Sequence, residues 1–235
     1  MERSNMLSVI IPVYNEKKTI NLIIDKVLDI KNIKKQIIIV DDGSIDGTTL
    51  ILKKLAKKVD KIIFLKRNKG KGHAIKLAQK FVKGYYTIIQ DADLEYNPKD
   101  YNKILALLKK KDNKVVYGSR VLNTKRYKNN NFTSNVRVLA NHILTILSNT
   151  LNQQNLTDAH TCYKAFDSKI FKKINLVENG FSFCPEITTK ISKLNIKINE
   201  VKISYHGRSF EEGKKISLKD GFGAIKTLIK YKFFK

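Results

Sequence analysis

Two carboxylates, Asp91 and Asp93, stand one residue apart at the end of the apolar run Ile88-Ile89-Gln90. Alternate side chains of a strand point the same way, so both carboxylates can face one ligand where that strand ends. Paired carboxylate oxygens suit Mg²⁺ or Mn²⁺, which complete their coordination shells with water and phosphate oxygens. Because an Asp-x-Asp triplet also arises in solvated turns, the pair indicates a metal site only together with further motifs.

Short apolar runs alternate with amphipathic stretches of helical period along the first half of the chain. The runs predict buried strands, and the stretches between them predict helices, the last of which starts at Pro98. This repetition predicts an α/β fold with a mostly parallel central sheet flanked by helices. The predicted strands are residues 7–13, 36–41, 61–65, 85–90 and 115–118, and the predicted helices are residues 17–30, 46–59, 71–82 and 98–110.

Polar and charged residues cluster where the predicted strands end. Ligands of such sheets bind at the carboxyl ends of the strands, so we expect these side chains to converge on one site. They are Pro12, Tyr14, Asn15 and Glu16 after the first strand, Asp41 and Asp42 after the second, Asp91 and Asp93 after the fourth, and Ser119 and Arg120 after the fifth.

The composition predicts one cytoplasmic domain. A chain of 235 residues can bury a full core, and its two cysteines, Cys162 and Cys184, show neither metal-site spacing nor a disulfide-rich pattern. The N-terminus lacks the features of a secretory signal, and no apolar run reaches the length of a transmembrane helix. We therefore expect a cytoplasmic protein that does not span a membrane.

The net charge of +25 is compatible with a nucleic-acid or anionic-membrane partner. The positive residues are mostly lysines spread along the whole chain, and helix-turn-helix, zinc-finger and RNA-stacking signatures are missing. A basic nucleic-acid-binding protein is the non-enzyme alternative, but no nucleic-acid partner is expected.

The glycines after the third predicted strand do not form a standard nucleotide-binding motif. The stretch Gly70-Lys71-Gly72-His73-Ala74-Ile75 has Ile75 where a dinucleotide fingerprint needs its third glycine. A P-loop pattern is also absent from the chain. A nucleotide, if bound, is held in another way.

Five short motifs and two longer segments follow one another along the chain. They are Val9-Ile10-Ile11-Pro12-Val13-Tyr14-Asn15-Glu16, Val40-Asp41-Asp42-Gly43-Ser44-Ile45-Asp46-Gly47-Thr48, Gly70-Lys71-Gly72, Asp91-Ala92-Asp93-Leu94 and Gly118-Ser119-Arg120, then residues 158–166 and 207–214. In this order they resemble glycosyltransferase family 2, and more closely its dolichol-phosphate mannose synthases and bacterial polyprenyl-phosphate hexosyltransferases. The resemblance covers almost the whole chain.

The resemblance implies a single domain of the GT-A nucleotide-sugar-binding fold over residues 1–235. Residues of about 6–122 would form the half that binds the nucleotide sugar. Residues of about 123–235 would form the half that binds the acceptor and would include a C-terminal amphipathic helix.

The resemblance also implies roles for individual residues on the donor side. Asp91, Asp93 and Glu95 would hold a divalent metal, Mg²⁺ or Mn²⁺, with Glu95 standing where glutamine is common in the mannose synthases. The diphosphate would meet Arg120, Arg208 and Lys214 as well. The implied nucleotide-sugar-binding residues are Pro12, Tyr14, Glu16, Val40, Asp42, Asp91, Ala92, Asp93, Arg120, Arg208 and Lys214.

The implied reaction is inverting transfer of a hexose from GDP-mannose or UDP-glucose to a polyprenyl phosphate, dolichyl or undecaprenyl. A phosphate oxygen is already anionic, so it needs positive charge to hold it rather than a strong base. The matching cations are Arg120, Arg137, Arg208 and Lys214. The expected catalytic residues are Asp93, Arg120, Arg137 and Asp158. Asp158 could act as a base toward a hydroxyl acceptor, the alternative substrate, or orient cations around a phosphate.

A polyprenyl phosphate lies in a membrane, so the enzyme would bind peripherally at the inner, cytoplasmic face. Two stripes of apolar residues with helical spacing could contact an anionic membrane surface or pack on the core. The first is Val136, Leu139, Ala140, Ile143 and Leu147; the second is Leu218, Phe222, Ile225 and Ile229, flanked by Lys219, Lys226 and Lys230. Since relatives carry transmembrane helices beyond this point, a membrane-anchoring partner is an additional expectation.

Overall fold

One sheet runs through the computed structural model, which describes residues 5–123, 132–208 and 218–234, with residues 132–137, 218 and 219 as backbone alone. Its strands are β1 (Leu7–Val13), β2 (Lys35–Asp41), β3 (Lys61–Phe64), β4 (Tyr86–Ile89), β5 (Val115–Ser119), β6 (Lys164–Asp167) and β7 (Ile198–Lys202). They lie in the order β3-β2-β1-β4-β6-β5-β7. Strand β6 is antiparallel to both of its neighbours, and the other adjacent pairs are parallel.

Helices flank the sheet, as the alternating sequence pattern predicts. Within the described ranges they are α1 (Ile20–Leu28), α2 (Thr48–Leu55), α3 (Lys71–Gln79), α4 (Tyr101–Leu108), α5 (Phe132–Asn152), α6 (Ser168–Lys173), α7 (Phe183–Lys193) and α8 (Leu218–Ile229). A π-helical turn, Lys230–Phe234, continues α8. Short 3₁₀ turns follow α2 and precede α4.

The centre of the sheet is apolar on both faces. Leu7, Val9, Ile10 and Ile11 of β1 have no exposed surface, which is typical of a parallel strand covered by helices on both sides. Helix α1 contributes to this core through residues spaced three and four apart, namely Ile20, Ile23, Ile24 and Val27. The predicted mostly parallel α/β architecture is therefore confirmed.

The ends of several elements differ from the sequence prediction for local reasons. Gly47 has a φ of 96°, a left-handed conformation, so α2 begins at Thr48 rather than at Asp46. The stretch from Pro98 first forms a 3₁₀ turn, and α4 begins at Tyr101. Strands β6 and β7 were not predicted, because both are short and carry charged residues where an apolar run would be expected.

Helix α5 buries several polar side chains and exposes several apolar ones. Thr145, Ser148 and Asn152 are buried, whereas Leu139, Ile143 and Ile146 are 47%, 55% and 52% exposed. Helix α5 packs against α7 and α8, so the polar stripe is turned toward protein and the apolar stripe away from it. None of the helices within the described ranges is long and apolar enough to cross a membrane.

Candidate active site

Three carboxylates surround the guanidinium of Arg208 beyond the carboxyl ends of β1 and β4. Its Nη1 and Nη2 atoms each lie 3.2 Å from an oxygen of Glu16, and Nη2 donates to Asp93 Oδ2 at 3.0 Å. Its Nε atom lies 3.7 Å from Glu95 Oε1, which also accepts the backbone N–H of Arg208 at 2.9 Å. Glu16, Asp93 and Glu95, which the sequence predicts at one site, are thus brought together around a cation.

The negative charges around Arg208 repel one another, and the pKa of Asp93 reflects this repulsion. Burial, together with the neighbouring charges of Asp91 and Glu95, raises the pKa of Asp93 to about 7, against the opposing effect of Arg208. The same negative charges that make the Asp93 carboxyl hold its proton also attract an added cation. The site therefore has the charge balance of a cation-binding site.

Lys71 is the ion-pair partner of Asp91. Its Nζ donates to Asp91 Oδ1 and lies 3.4 Å from Cys162 Sγ. Burial alone would lower the pKa of Lys71, but the Asp91 carboxylate raises it well above its ordinary value. Asp91 and Asp93 thus have different partners, a lysine from the start of α3 and an arginine from the segment after β7.

The donor set fits a metal that takes few protein ligands. Within the described ranges, no three or more His, Cys, Asp or Glu side chains are arranged to hold a metal ion. Mg²⁺ and Mn²⁺ need no such cage, since one or two carboxylates suffice when a nucleotide diphosphate and water supply the other oxygens. Asp91 and Asp93 are two such carboxylates. Both already have ion-pair partners, Lys71 and Arg208, just as Glu95 is contacted by Arg208 and Tyr205, so a metal would share or displace these partners.

Arg120, which follows β5, is held by Asp158 in a two-pronged ion pair. The Arg120 Nε and Nη2 atoms donate to the two Asp158 oxygens at 2.7 and 2.8 Å, and the Arg120 backbone N–H donates to Oδ2 at 3.1 Å. Burial alone would raise the pKa of Asp158, but Arg120 holds it below its ordinary value. Asp158 is therefore stabilised in its ionised form, and both of its oxygens accept hydrogen bonds from Arg120.

Residues 157–159, which we call the Asp158 loop, are held in place by charged side chains of β7 and β6. Glu200 accepts the backbone N–H groups of Thr157 and Asp158 at 2.6 and 2.9 Å. The fully buried Lys164 donates to Ala159 O at 2.8 Å. These contacts restrict the loop and so fix the direction from which Asp158 meets Arg120.

Asp42, which is predicted to lie near the nucleoside, also holds a backbone loop in place. This buried carboxylate accepts the backbone N–H groups of Lys69 and Gly70 at 2.9 and 2.7 Å. A Cβ at Gly72 would come 2.2 Å from Glu178 O, so the loop around Lys71 approaches other backbone too closely for a side chain there. Asp42 therefore holds the loop that carries Lys71, and its contact with a nucleoside stays a prediction.

The remaining predicted site residues differ in exposure, and two of them are not fully described by the structure. Pro12 and Tyr14 are partly exposed at the end of β1, whereas Val40 and Ala92 are buried. Arg137 belongs to α5, but its side chain lies outside the described part of the structure, as does the whole of Lys214. The structure therefore brings Glu16, Asp93, Glu95 and Arg208 together and leaves the predicted roles of Arg137 and Lys214 as predictions.

Sequence reasoning missed Lys71, Tyr205 and Glu200. Lys71 lies within the glycine motif Gly70-Lys71-Gly72, but one lysine does not stand out among 46 lysines and arginines. Tyr205 contacts Glu95 and Arg120, and Glu200 supports the Asp158 loop from a strand that was not predicted. The sequence spacing of these residues does not reveal their contacts, because each contact joins two elements that are far apart in the chain.

The sheet order and the charged strand ends define a protein of the GT-A fold. A crystal structure of glucosyl-3-phosphoglycerate synthase from Mycobacterium tuberculosis with Mg²⁺ and uridine diphosphate has the same fold, with a TM-score of 0.73 at 16% identity. The match covers 97% of this chain and 79% of that one. At this identity the likeness concerns the fold alone.

The chain belongs to glycosyl transferase family 2, whose family model matches residues 8–175. It is 30% identical to a dolichyl-phosphate beta-glucosyltransferase of Dictyostelium discoideum over 85% of its own length and 66% of that protein's. It therefore spans slightly less than two thirds of that relative. A UDP-N-acetylglucosamine–dolichyl-phosphate N-acetylglucosaminyltransferase of Methanococcus voltae is 28% identical over 98% of this chain and 97% of that protein.

Proposed function

We propose that this family 2 glycosyltransferase moves a hexose or an N-acetylhexosamine from a nucleotide-diphosphate sugar to a polyprenyl phosphate at a membrane surface, with a divalent metal. The observation that carries the proposal is the pairing of two opposite charge environments at one sheet edge. Asp91, Asp93 and Glu95 attract a cation, whereas Arg120 presents a planar cation fixed by Asp158. A reaction between a metal-bound diphosphate and an anionic acceptor needs both.

The chemistry is a displacement at the anomeric carbon. An acceptor phosphate oxygen forms the new bond to that carbon on the face opposite the diphosphate, whose bond breaks, so the configuration inverts. Mg²⁺ or Mn²⁺ bound by Asp91 and Asp93 would stabilise the negative charge on the departing diphosphate. Lys71 and Arg208 supply further positive charge from the protein at the same place.

The environment of Asp158 favours a phosphate acceptor over a hydroxyl acceptor. A hydroxyl group must lose a proton as it attacks, and the base that takes it should have a pKa near the working pH. Asp158 has a lowered pKa, and Arg120 occupies both of its oxygens. A phosphate oxygen is already anionic, so Arg120 and the predicted Arg137 can bind it while Asp158 acts as the holder of Arg120.

The Methanococcus relative, whose name specifies UDP-N-acetylglucosamine, favours a UDP-linked donor. The names of the Dictyostelium and Methanococcus proteins specify glucosyl and N-acetylglucosaminyl transfer to dolichyl phosphate. We therefore propose UDP-glucose or UDP-N-acetylglucosamine ahead of the GDP-mannose that the sequence resemblance also allowed.

The exposed apolar residues of α5 and α8 support attachment to a membrane surface. Phe222 is 76% exposed and Phe233 is 64% exposed, and both lie on the same C-terminal helical segment as several lysines. Apolar side chains beside lysines suit the boundary between lipid headgroups and acyl chains. An enzyme attached in this way would reach the phosphate of a polyprenyl lipid without crossing the bilayer.

A donor screen with purified protein, Mn²⁺ and a polyprenyl phosphate tests the proposal. We expect a lipid-linked product from a UDP-sugar, loss of product after chelation, and recovery on adding Mg²⁺ or Mn²⁺. The matched acceptor control is the corresponding polyprenol, which lacks the phosphate. Transfer to a soluble hydroxyl acceptor in place of the lipid, or nucleic-acid binding without sugar turnover, would overturn the proposal.

A further inference from the structure

Tyr205 joins the two charged halves of the site. Its hydroxyl donates to Glu95 Oε2 at 2.8 Å, and its ring centroid lies 5.1 Å from the guanidinium carbon of Arg120. Glu95 belongs to the carboxylate cluster around Arg208, while Arg120 belongs to the ion pair with Asp158. One side chain therefore contacts both the expected donor side and the expected acceptor side.

The position of the Tyr205 ring is restricted by its neighbours. Tyr96 and Tyr205 form an isolated antiparallel bridge through their backbones, and their rings meet edge to face at 5.3 Å between centroids. Gly207 leaves room for the ring, since a Cβ at this position would come 3.0 Å from the ring atom Cε1. Because Tyr96 is buried, this arrangement connects the phenol to the core of the protein.

Other tyrosines of the same aromatic cluster use their hydroxyls differently. Tyr101 and Tyr163 both donate to Gln90 Oε1 at 2.6 Å, in the buried interior. Tyr205 is partly exposed, and its hydroxyl meets a charged group of the site instead. A purely packing role would not require that contact.

We propose that Tyr205 is a positioning residue that sets the donor-side carboxylates and the acceptor-side arginine relative to each other, an inference that rests on the proposed function. Its hydroxyl fixes the Glu95 carboxylate, whose other oxygen accepts the Arg208 backbone N–H. Its ring face stabilises the Arg120 guanidinium by a cation–π contact. The hydroxyl thus serves binding of the metal and nucleotide, and the ring serves binding of the acceptor phosphate.

Two substitutions separate these contributions. Tyr205→Phe removes the hydroxyl and keeps the ring, whereas Tyr205→Leu removes both. Tyr163→Phe is the matched control, since it removes a tyrosine hydroxyl from the same cluster without touching Glu95 or Arg120. The measurements are Mn²⁺-dependent binding of UDP by calorimetry, which needs no turnover, and the KM for a short polyprenyl phosphate.

We expect Tyr205→Phe to weaken UDP binding in the presence of Mn²⁺ by about tenfold, the effect of losing one hydrogen bond to a charged group. Its acceptor KM should stay at the wild-type value. Tyr205→Leu should show the same loss of UDP binding and should also raise the acceptor KM by about threefold or more. Tyr163→Phe should leave both quantities unchanged.

A double-mutant cycle tests whether the hydroxyl acts through Glu95. In a Glu95→Ala background, Tyr205→Phe should cause no further loss of UDP binding, because the acceptor of the hydrogen bond is gone. Additive losses would overturn the inference, as would identical acceptor KM values for the phenylalanine and leucine variants. A lower melting temperature with unchanged UDP binding and acceptor KM would also overturn it in favour of a packing role.

Failure of this inference is distinguishable from failure of the proposed function. If the wild-type protein does not transfer sugar to any polyprenyl phosphate, the proposed function fails. Calorimetry with Mn²⁺ and UDP still decides the role of the hydroxyl in that case. If the wild type does transfer sugar and Tyr205→Phe binds UDP normally, the inference alone fails.

Discussion

The Nη2 atom of Arg208 lies 3.0 Å from the Oδ2 atom of Asp93, so a carboxylate expected to bind metal is paired with a cation from the protein itself. The same guanidinium contacts Glu16 through both of its terminal nitrogens. A divalent metal that binds Asp93 must share this partner or displace it, because two cations close together repel each other. Metal binding and the position of Arg208 are therefore linked.

Replacing Arg208 should affect metal binding and turnover in opposite directions. Arg208→Ala removes the positive charge next to Asp93, Glu16 and Glu95, so Mn²⁺ should bind more tightly without nucleotide. Turnover should nevertheless fall, because the same cation stabilises the departing diphosphate in the proposed reaction. Electron paramagnetic resonance of Mn²⁺ measures the affinity, and a lipid-linked product assay measures turnover.

The exposed Arg67, replaced by alanine, is the matched control for the loss of one positive charge. It should leave both the Mn²⁺ affinity and the turnover unchanged. Weaker Mn²⁺ binding in Arg208→Ala than in the wild type would show that Arg208 supports the metal site instead of competing for its carboxylates.

Asp93 should be needed for activity but not for folding. Burial and the charges of Asp91 and Glu95 raise the pKa of Asp93, so its carboxylate form opposes folding near neutral pH. Asp93→Asn removes that charge, and we expect the metal-free variant to melt no lower than the wild type while turnover is lost. Scanning fluorimetry and the product assay check the two effects, and full turnover in the variant would contradict the metal assignment.

Asp158 and Arg120 should act as one unit. If Asp158 holds Arg120 and does not act as a base, Asp158→Asn and Arg120→Lys should both raise the acceptor KM, by about tenfold or more. The double variant should be little worse than either single variant, because each change already breaks the two-pronged pair. Steady-state kinetics with varied polyprenyl phosphate provide the values.

The pH dependence distinguishes the alternative role of Asp158. A base would produce an acid limb in the pH–rate profile of the wild type that disappears in Asp158→Asn. The holding role instead predicts the same profile shape in both proteins, at a lower rate in the variant.

Most of the fold could be predicted from the sequence because the signal for its strands and helices is repeated along the chain. Buried strands such as β1 are continuous apolar runs, and the helices between them show regular spacing of apolar residues. Strands β6 and β7 escaped prediction because Lys164 and Glu200 interrupt their apolar pattern. Both residues hold the loop that carries Asp158, so the charges needed for those contacts are what hides the strands.

Local spacing in the sequence predicts one part of the site, the Asp91 and Asp93 pair, but not the contacts between distant segments. Asp91 and Asp93 follow one strand, and a period of two places them together, so local reasoning suffices. The pairing of Lys71 with Asp91, and of Tyr205 with Glu95 and Arg120, joins segments far apart in the chain. Such contacts depend on sheet order and loop direction, which a single sequence does not specify.

The exposed apolar residues near the C-terminus should govern membrane attachment. Phe222 is 76% exposed on α8, and inserting such a side chain into the headgroup boundary contributes about 1.5–3 kcal/mol. Phe222→Asp should therefore weaken binding to anionic vesicles by about tenfold or more. Sedimentation with vesicles measures this, and binding of the wild type should fall as salt rises because lysines contribute.

The matched control is Leu50→Asp, which changes a 64% exposed apolar residue on α2. This residue lies in the half of the chain expected to bind the nucleotide sugar. Equal losses in the two variants would indicate that vesicle binding responds to total charge and not to the α8 surface.

His160 should make the folded protein sensitive to acid. Burial of its ring, with the nearby cations Lys164 and Arg120 outweighing Asp158, lowers the pKa of His160 to about 4. Its Nε2 atom has no hydrogen-bond partner among the described residues, so nothing compensates a proton there. The unfolded histidine binds a proton near its ordinary pKa of about 6.5, so stability is lost as pH falls from about 6.5 to about 4.

The expected loss is at most roughly 1.4 kcal/mol of unfolding free energy per pH unit across that window. Urea unfolding at several pH values measures it, and His160→Gln should remove this part of the slope while leaving stability near neutral pH largely unchanged. Equal slopes in the wild type and His160→Gln would show that the His160 ring is protonated equally in the folded and unfolded states.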